Sequence, residues 1–221
     1  MPDGQYSFYL HSDDRTDIAA MATISTISQP LRGEFIRTAA TAGAVMYQTD
    51  ARLPALIPVF FDGKLSTIRL CAVMALVSGT WSSLSGLPDE PDGGVAALAM
   101  SPETEYQRRR YTLTLQEDRS SERVESVLTG VSSRLRGELL RNLIITGLAL
   151  HTTAPELPRL LASMPVPPAT ISELQVLVQQ MAGTAGVNKT AVPEKPTASA
   201  EPVSGTETAG IKKNMRRAFG D

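Results

Sequence analysis

Two short stretches of the chain alternate between apolar and polar residues. In residues 5–11, three large apolar side chains face one way, and the same pattern returns in residues 111–115. Because side chains along a strand alternate between its two faces, each stretch is predicted to be a short β-strand with one buried face. The residues predicted to face inward are Tyr6, Phe8 and Leu10 in the first strand, and Tyr111, Leu113 and Leu115 in the second.

Elsewhere the apolar residues recur at the spacing of an α-helix. Polar residues that favour a helix start follow each strand: Ser12, Asp13 and Asp14 in the first case, Glu117 and Asp118 in the second. Proline residues divide the later segments into short helical pieces. The predicted helices cover residues 16–27, 31–48 and 64–77 in the first half, then a helix containing Val124, Val127, Leu128 and Val131, and helices over 134–151 and 170–181.

The two halves of the chain repeat one sequence plan. Residues 31–54 begin with Leu-Arg-Gly-Glu and continue through a second arginine and a glycine to Leu-Pro, and residues 135–158 have all of these at matching positions. Residues 31–54 align with residues 135–158 at a constant offset of 104 residues, without a gap. The two strands align with each other at an offset that is one residue larger. Convergence on an amphipathic helix would not reproduce these non-apolar residues. We therefore expect an internal duplication of a whole domain, with a period too long for a solenoid repeat.

A strand followed by two helices is not a stable unit alone, because its edge is unpaired and its core is small. A second copy whose strand pairs antiparallel with the first removes both problems. The predicted fold is mostly α: a tandem ribbon-helix-helix, that is, an intrachain pseudo-dimer with a two-stranded antiparallel ribbon, small helical cap domains and a disordered C-terminal tail. The predicted segments are a first ribbon-helix-helix with its cap (1–77), a linker (78–107), a second ribbon-helix-helix with its cap (108–182), a disordered linker (183–209) and a partner-binding tail helix (210–221).

The two linkers and the tail are recognised by composition. Residues 78–107 are rich in Gly, Ser, Pro and acids, and residues 183–209 are a low-complexity mixture that cannot bury enough apolar surface to fold. In the tail, apolar residues fall at i, i+4 and i+8 with basic residues on the remaining face, which is typical of a short helix that docks on a partner. The candidate partner-binding residues are Ile211, Lys212, Lys213, Met215, Arg216 and Phe219.

In a ribbon-helix-helix, the outward side chains of the ribbon enter the major groove of DNA. Arg110 can make a bidentate contact with guanine, and threonines can reach base edges or a thymine methyl. Phosphates are expected at the N-termini of the second helices, where backbone N–H groups are free. The candidate DNA-binding residues are Gln5, Ser7, Tyr9, Arg110, Thr112 and Thr114 on the ribbon, with Ser28, Arg32, Ser132 and Arg136 at the helix starts. The competing interpretation is that these are ordinary strand residues and a solvated basic face.

Net charge, cysteine content and apolar runs limit the classes of function and the cellular compartments that fit the chain. A net charge of −2 argues against a non-specific nucleic-acid coat protein, so DNA binding would have to come from local basic patches. The single cysteine, Cys71, favours a reducing compartment and is expected to be a core residue. No signal peptide or membrane-spanning run is evident, so we expect a cytoplasmic protein that does not contact the membrane.

Catalytic chemistry is not indicated. The chain shows no metal-ligand spacing, no glycine-rich phosphate loop and no credible nucleophile–base set, so we expect neither enzyme activity nor a cofactor. Gly43 and Gly147 lie inside predicted helices and are expected to allow close helix packing. The pairs Glu34/Arg37 and Glu138/Arg141 have i, i+3 spacing, and we interpret both as surface ion pairs that stabilise their helices.

At this point the residues resemble a known family. The segments RRRYTLTL and LRGELLRNLIITGLALHTTAPELPRLL look like the ParR (StbB) plasmid partition adaptors, and QYSFYL with LRGEFIRTAATAGAVMYQTDARLPALI is similar to the same family. The ending KKNMRRAF at 212–219 is similar to the ParR tail. The resemblance implies a protein that binds double-stranded DNA repeats of a plasmid centromere, self-associates on that DNA and captures the end of an actin-like ParM ATPase filament through its tail.

The chain departs from that family in carrying two copies and one tail. The two half-ribbons also differ, because Gln5, Ser7 and Tyr9 stand where the second copy has Arg110, Thr112 and Thr114. We therefore predict an asymmetric DNA repeat rather than a palindrome. Two other functions stay open: a ribbon-helix-helix transcriptional repressor or antitoxin, and a helical scaffold that does not bind DNA, in which the strands only tie the copies together.

Overall fold

The computed structural model describes residues 4–80 and 107–187, with side chains to residue 183. Each half begins with a strand and continues with helices. The first half contains β1 (Gln5–His11), α1 (Arg15–Ser25), α2 (Arg32–Thr49), α3 (Leu53–Leu56) and α4 (Thr67–Ser78), with short 3-10 turns at Gln29–Leu31 and Ile57–Phe60. The second half contains β2 (Arg108–Thr114), α5 (Arg119–Thr129), α6 (Arg136–Thr153), α7 (Leu157–Ser163) and α8 (Ile171–Val187).

The two strands pair with each other in antiparallel register, as predicted. The ladder runs from Gln5 opposite Thr114 to His11 opposite Arg108. In one pair of the ladder, Ser7 opposite Thr112, the two partners also occupy equivalent positions in the two copies. An approximate two-fold axis therefore passes through the ribbon at the Ser7–Thr112 pair.

The second strand is longer than the alternation predicted. It begins at Arg108, three residues before the predicted start, because the residues from Arg108 to Arg110 pair with the residues from Tyr9 to His11. Consecutive arginines carry no apolar–polar alternation, so the sequence pattern could not include them. Leu115, the predicted last residue, lies just beyond the strand and donates its backbone N–H to the Gly4 carbonyl at 3.4 Å.

The helix starts follow the predicted signals. Asp14 caps α1 by accepting from the Asp17 N–H at 3.0 Å, and Asp118 caps α5 by accepting from the Ser121 N–H at 2.7 Å. These contacts satisfy backbone donors that a helix leaves unpaired in its first turn. The shared cap geometry keeps the strand-to-helix turn alike in both halves.

The centre of the fold is the crossing of α2 and α6. A Cβ at Gly43 would overlap the backbone of Leu143, and a Cβ at Gly147 would overlap the backbone of Ala39. These two contacts are equivalent under the duplication, so each helix presents its glycine to the other. The predicted role of both glycines in close helix packing is confirmed.

The cap helices of the two halves also contact each other. Helix α4 packs against α8, and Thr49 of α2 donates to the Pro168 carbonyl at 3.1 Å.

Cys71 is half-buried against the core, and burial raises the pKa of its thiol. Cys71 is therefore a packing residue, as expected.

Several helix boundaries differ from the sequence prediction. Helix α1 ends at Ser25 and α5 ends at Thr129, so Ile27 and Val131 lie beyond the helices predicted to contain them, and α4 begins at Thr67 rather than at residue 64. Helix α8 continues to Val187, so residues 183–187 of the segment predicted to be disordered are helical. Once a helix is anchored, each added residue gains one backbone hydrogen bond, and no proline stops this one. The rest of the two predicted linkers, at 81–106 and 188–209, and the predicted tail helix at 210–221 lie outside the described residues.

Candidate nucleic-acid interface

The ribbon has one apolar and one polar face, as predicted. On the inner face Phe8, Leu10 and Leu113 are almost fully buried, and the rings of Phe8 and Tyr111 stack with centroids 5.3 Å apart. On the outer face Gln5, Arg110, Thr112 and Thr114 are exposed, and Ser7 and Tyr9 are partly exposed. Burial of the inner face fixes the register, because a slip of one residue would turn every side chain to the opposite face.

The register brings the six predicted ribbon residues together in three cross-strand pairs. Gln5 lies opposite Thr114, Ser7 opposite Thr112, and Tyr9 opposite Arg110. One end of the outer face is thus neutral, and the other carries an aromatic ring and a guanidinium. The duplication relates Gln5 to Arg110 and Tyr9 to Thr114, so the two ends are equivalent in backbone and different in chemistry.

The arginine-bearing end is ordered by contacts across the ribbon. Arg110 donates from Nε and Nη2 to Ser7 Oγ, at 3.2 and 2.9 Å. The Cζ of Arg108 lies 3.5 Å from the centroid of the Tyr9 ring, a cation–π contact. Sequence reasoning missed Arg108 because it lies before the alternating residues. Residues two apart on a strand lie on the same face, so the position of Arg108 two residues before Arg110 could have identified it.

The starts of α2 and α6 also lie near the ribbon. Two of the residues predicted to bind DNA there, Arg32 and Arg136, instead make hydrogen bonds within the protein. Ser28 and Ser132 are exposed, and each accepts through its carbonyl from the backbone three residues on. Arg32 donates from Nε to the Ile27 carbonyl at 2.9 Å, and Arg136 donates from Nε to the Leu128 carbonyl at 3.0 Å. These two arginines hold the turn between the first and second helices of each half, and that contact occupies Nε of each.

The strand β1 and the start of α6 border a cleft of about 680 Å³. Carboxylates and guanidinium groups both line it: Asp13, Asp14, Asp17 and Glu138 with Arg108, Arg134 and Arg141. The carboxylates disfavour a free anion inside the cleft, so its contribution to DNA binding would come from the arginines near its rim. Gly137 lies against the backbone of β1 here, where a Cβ would be 3.4 Å from the Ser7 carbonyl.

Inside this cleft an ion pair joins the two halves. Arg141 of α6 donates from Nε to Asp17 Oδ1 at 2.6 Å and from Nη2 to Asp14 Oδ2 at 3.1 Å. Asp17 is 1% exposed, and its other oxygen accepts from the His11 N–H at 2.9 Å. Burial raises the pKa of the Asp17 carboxyl, while the His11 N–H and the Arg141 guanidinium oppose that rise. The expected Glu138/Arg141 surface pair is therefore wrong, since both carboxylates that bind Arg141 lie on the other copy.

The equivalent arginine of the first copy has no such partners. Arg37 pairs with Glu34 at 3.0 Å, as predicted, but its buried Nε and Nη1 atoms have no hydrogen-bond partner among the described residues. Ser121 takes the place of Asp17 here, and its hydroxyl accepts from the Gln116 N–H at 3.0 Å. The two sides of the ribbon thus share a backbone and differ in charge.

Two further features bear on function. Within residues 4–80 and 107–187, no group of three or more His, Cys, Asp or Glu side chains could hold a metal ion. In the same part of the chain, no helix is both long enough and apolar enough to span a membrane.

The comparisons with known proteins identify the family. A family model described as "Plasmid stability protein" matches residues 4–74 and again residues 109–178, which together are more than half of the chain. The two matched regions coincide with the two copies of the strand-and-helix unit, which supports the internal duplication. No curated protein and no solved structure shows significant similarity to the chain. The chain therefore belongs to the plasmid stability protein family, in an internally duplicated form, and membership of that family indicates a role in plasmid maintenance.

Proposed function

We propose that the chain is a ribbon-helix-helix DNA-binding protein of the ParR (StbB) type. In this proposal β1 and β2 form a ribbon that enters the major groove of plasmid centromere DNA. The observation that carries the proposal is the ribbon itself: two strands from separate copies pair about a two-fold axis at Ser7 and Thr112, with an apolar face buried and a polar face exposed. A two-stranded ribbon of this kind fits the width of the major groove.

The outer face supplies suitable chemistry for reading bases. Arg110 can bind guanine with two hydrogen bonds, and Thr112 and Thr114 can contact base edges or a thymine methyl. Arg134 lies beside the start of α6, where DNA phosphates would approach the helix N-terminus. Because the arginines are concentrated at one end, the proposed DNA repeat is asymmetric.

The proposed role is that of a segregation adaptor, not an enzyme. Several copies would self-associate on centromere repeats, and the tail would bind an actin-like ParM ATPase filament. The sequence of the tail supports this step: Ile211, Met215 and Phe219 fall at i, i+4 and i+8, the spacing that would place them on one face of a helix, with basic residues between them. A tail of this kind docks an apolar face into a groove of its partner. Since two copies share one tail, each DNA-binding unit presents one filament-binding segment.

Two experiments test this proposal. The full chain is incubated with a library of random-sequence duplexes, the bound duplexes are sequenced, and the enriched site is mapped by footprinting. We expect one enriched site without dyad symmetry, and binding that weakens steeply as salt rises. Recovery of no enriched duplex would refute DNA binding, and a symmetric site contacted equally by both halves would refute its asymmetry.

The second experiment concerns the tail. A chain that lacks residues 211–221 should bind the enriched duplex with unchanged affinity and should fail to co-sediment the duplex with ParM filaments. A substitution of the basic residues alone, with the apolar residues retained, serves as a matched variant. Retained co-sedimentation after the deletion would place the filament contact elsewhere in the chain.

A further inference from the structure

The outer face of the ribbon joins residues of the first strand to arginines of the second. Arg110 lies opposite Tyr9 but reaches Ser7, and Arg108 lies opposite His11 but reaches the Tyr9 ring. Each arginine therefore crosses the ribbon diagonally, and both lean in the same direction, toward the Ser7–Thr112 pair. This arrangement orders two long, exposed side chains that would otherwise occupy many rotamers.

The contact with Ser7 leaves the recognition edge of Arg110 available. A guanidinium has five N–H donors, and Ser7 Oγ accepts from the Nε hydrogen and one Nη2 hydrogen. The remaining edge, formed by Nη1 and the second Nη2 hydrogen, has no partner among residues 4–80 and 107–187. A paired edge of this kind can bind O6 and N7 of one guanine. Ser7 thus fixes the guanidinium without blocking it.

We propose that Ser7 and Tyr9 are positioning residues, which hold Arg110 and Arg108 in the orientation that binds DNA. This inference rests on the proposed function, because the arginines act on DNA and the two first-strand residues act through them. Ser7 and Tyr9 lower the conformational entropy that the arginines lose on binding. The first copy therefore contributes a platform for the second strand as well as its own contacts to DNA.

The other end of the ribbon lacks the same device. The duplication replaces Arg110 with Gln5, Ser7 with Thr112 and Tyr9 with Thr114. At that end Gln5 stands in place of Arg110, so the outer face of the strand pair has no guanidinium there for Thr112 and Thr114 to position. The positioning is consequently confined to one end, and each test has the equivalent residue of the other copy as its control.

A double-mutant cycle tests Ser7. The affinity of the full chain for the duplex enriched from the random library is measured for wild type, Ser7→Ala, Arg110→Ala and the double variant. We expect Ser7→Ala to weaken binding about threefold to tenfold in the wild-type background, and less than about twofold once Arg110 is gone. Ser7→Thr, which keeps the hydroxyl, should retain the wild-type affinity. Thr112→Ala is the control, and its effect should be the same with or without Arg110.

A second cycle tests Tyr9 in the same way. Tyr9→Phe keeps the ring and should retain the affinity, whereas Tyr9→Ala should weaken binding about twofold to fivefold, as expected for loss of an exposed cation–π contact. In the Arg108→Ala background, Tyr9→Ala should have no further effect. Thr114→Ala is the matched control at the neutral end of the ribbon, and its effect should not depend on Arg108.

The outcomes separate the two proposals. If Ser7→Ala and Tyr9→Ala weaken binding equally in both backgrounds, the two residues act independently of the arginines, and the positioning role is refuted while DNA binding stands. If the wild-type chain retains no duplex from the library, DNA binding and the positioning role are both refuted. Thermal unfolding of each variant, which should match wild type, excludes loss of fold as the cause of weaker binding.

Discussion

Arg141 and Arg37 occupy equivalent positions on α6 and α2, and their surroundings differ. Arg141 binds two carboxylates of the opposite copy, one of which, Asp17, is almost fully buried. In the other copy Ser121 stands at the position equivalent to Asp17, and two buried nitrogens of Arg37 have no partner in the described part of the chain. Among residues 4–80 and 107–183, an ion pair between the copies therefore joins one side of the two-fold axis and not the other.

The comparison separates the features that the two copies share from those in which they differ. The glycines at the helix crossing, the aspartates that cap α1 and α5, and the arginines that hold the interhelical turns are present in both copies. These residues build the backbone. The outer face of the ribbon and the ion pairs beside it differ between copies, so the chain combines a nearly symmetric frame with an asymmetric surface.

The largest expected effect comes from removing Arg141. Arg141→Met leaves the Asp17 carboxylate buried with one partner fewer, and we expect a loss of about 3–5 kcal/mol in the free energy of unfolding. Arg37→Met is the matched variant and should cost less than about 1 kcal/mol, because it removes donors that are already unpaired. Urea denaturation measures both. Equal losses would show that the two arginines stabilise the fold alike.

Next in size is the helix crossing, where the copies should behave the same. Gly43→Ala and Gly147→Ala each place a Cβ against the backbone of the other helix, and each should cost about 1–3 kcal/mol. Gly33→Ala has no atom within 4 Å of the new Cβ and should be neutral or stabilising by about 1 kcal/mol. A large loss in only one of the two crossing variants, measured by thermal unfolding, would contradict the symmetric frame.

The ion pair also predicts a dependence on pH. Removing Arg141 leaves burial to raise the pKa of Asp17 further, so the folded Arg141→Met chain binds a proton that the unfolded chain has lost. Stability of this variant should therefore fall as pH rises from the ordinary aspartate pKa through the raised value. The cost of Arg141→Met should be smaller near pH 4 than near pH 7, and a cost independent of pH would show that Asp17 does not carry the effect.

The smallest effect is a gain. Ser121→Asp supplies Arg37 with the carboxylate that Arg141 has in Asp17, and we expect a stabilisation of about 1 kcal/mol. Ser121→Asn, which has the same shape without the charge, should not stabilise the fold. In the Arg37→Met background Ser121→Asp should become destabilising, because the new carboxylate would then be buried without its partner. Stabilisation in both backgrounds would exclude an ion pair as the cause.

Much of this fold could be predicted from the sequence because its signals are local or repeated. Alternation located β1, the residues Asp14 and Asp118 located the helix starts, and the repeated glycines indicated the α2–α6 crossing. The contacts across the two copies could not be predicted in this way. Arg141 has a suitable carboxylate three residues away, and only the folded arrangement of strands and helices shows that it binds Asp17 instead. The contacts of Arg108 and Arg110 likewise depend on strand register, which alternation within one strand does not fix.

The most direct test of the central claim, that the ribbon reads DNA, is the affinity of the Arg110→Ala chain for the duplex enriched by wild type. If the outer face of the ribbon lies in the major groove, this substitution should weaken binding by about 1–3 kcal/mol and relax the preference at one base position. Arg159→Ala, on the exposed surface of α7, should bind as wild type does. Unchanged affinity and base preference in the Arg110→Ala chain would contradict the claim.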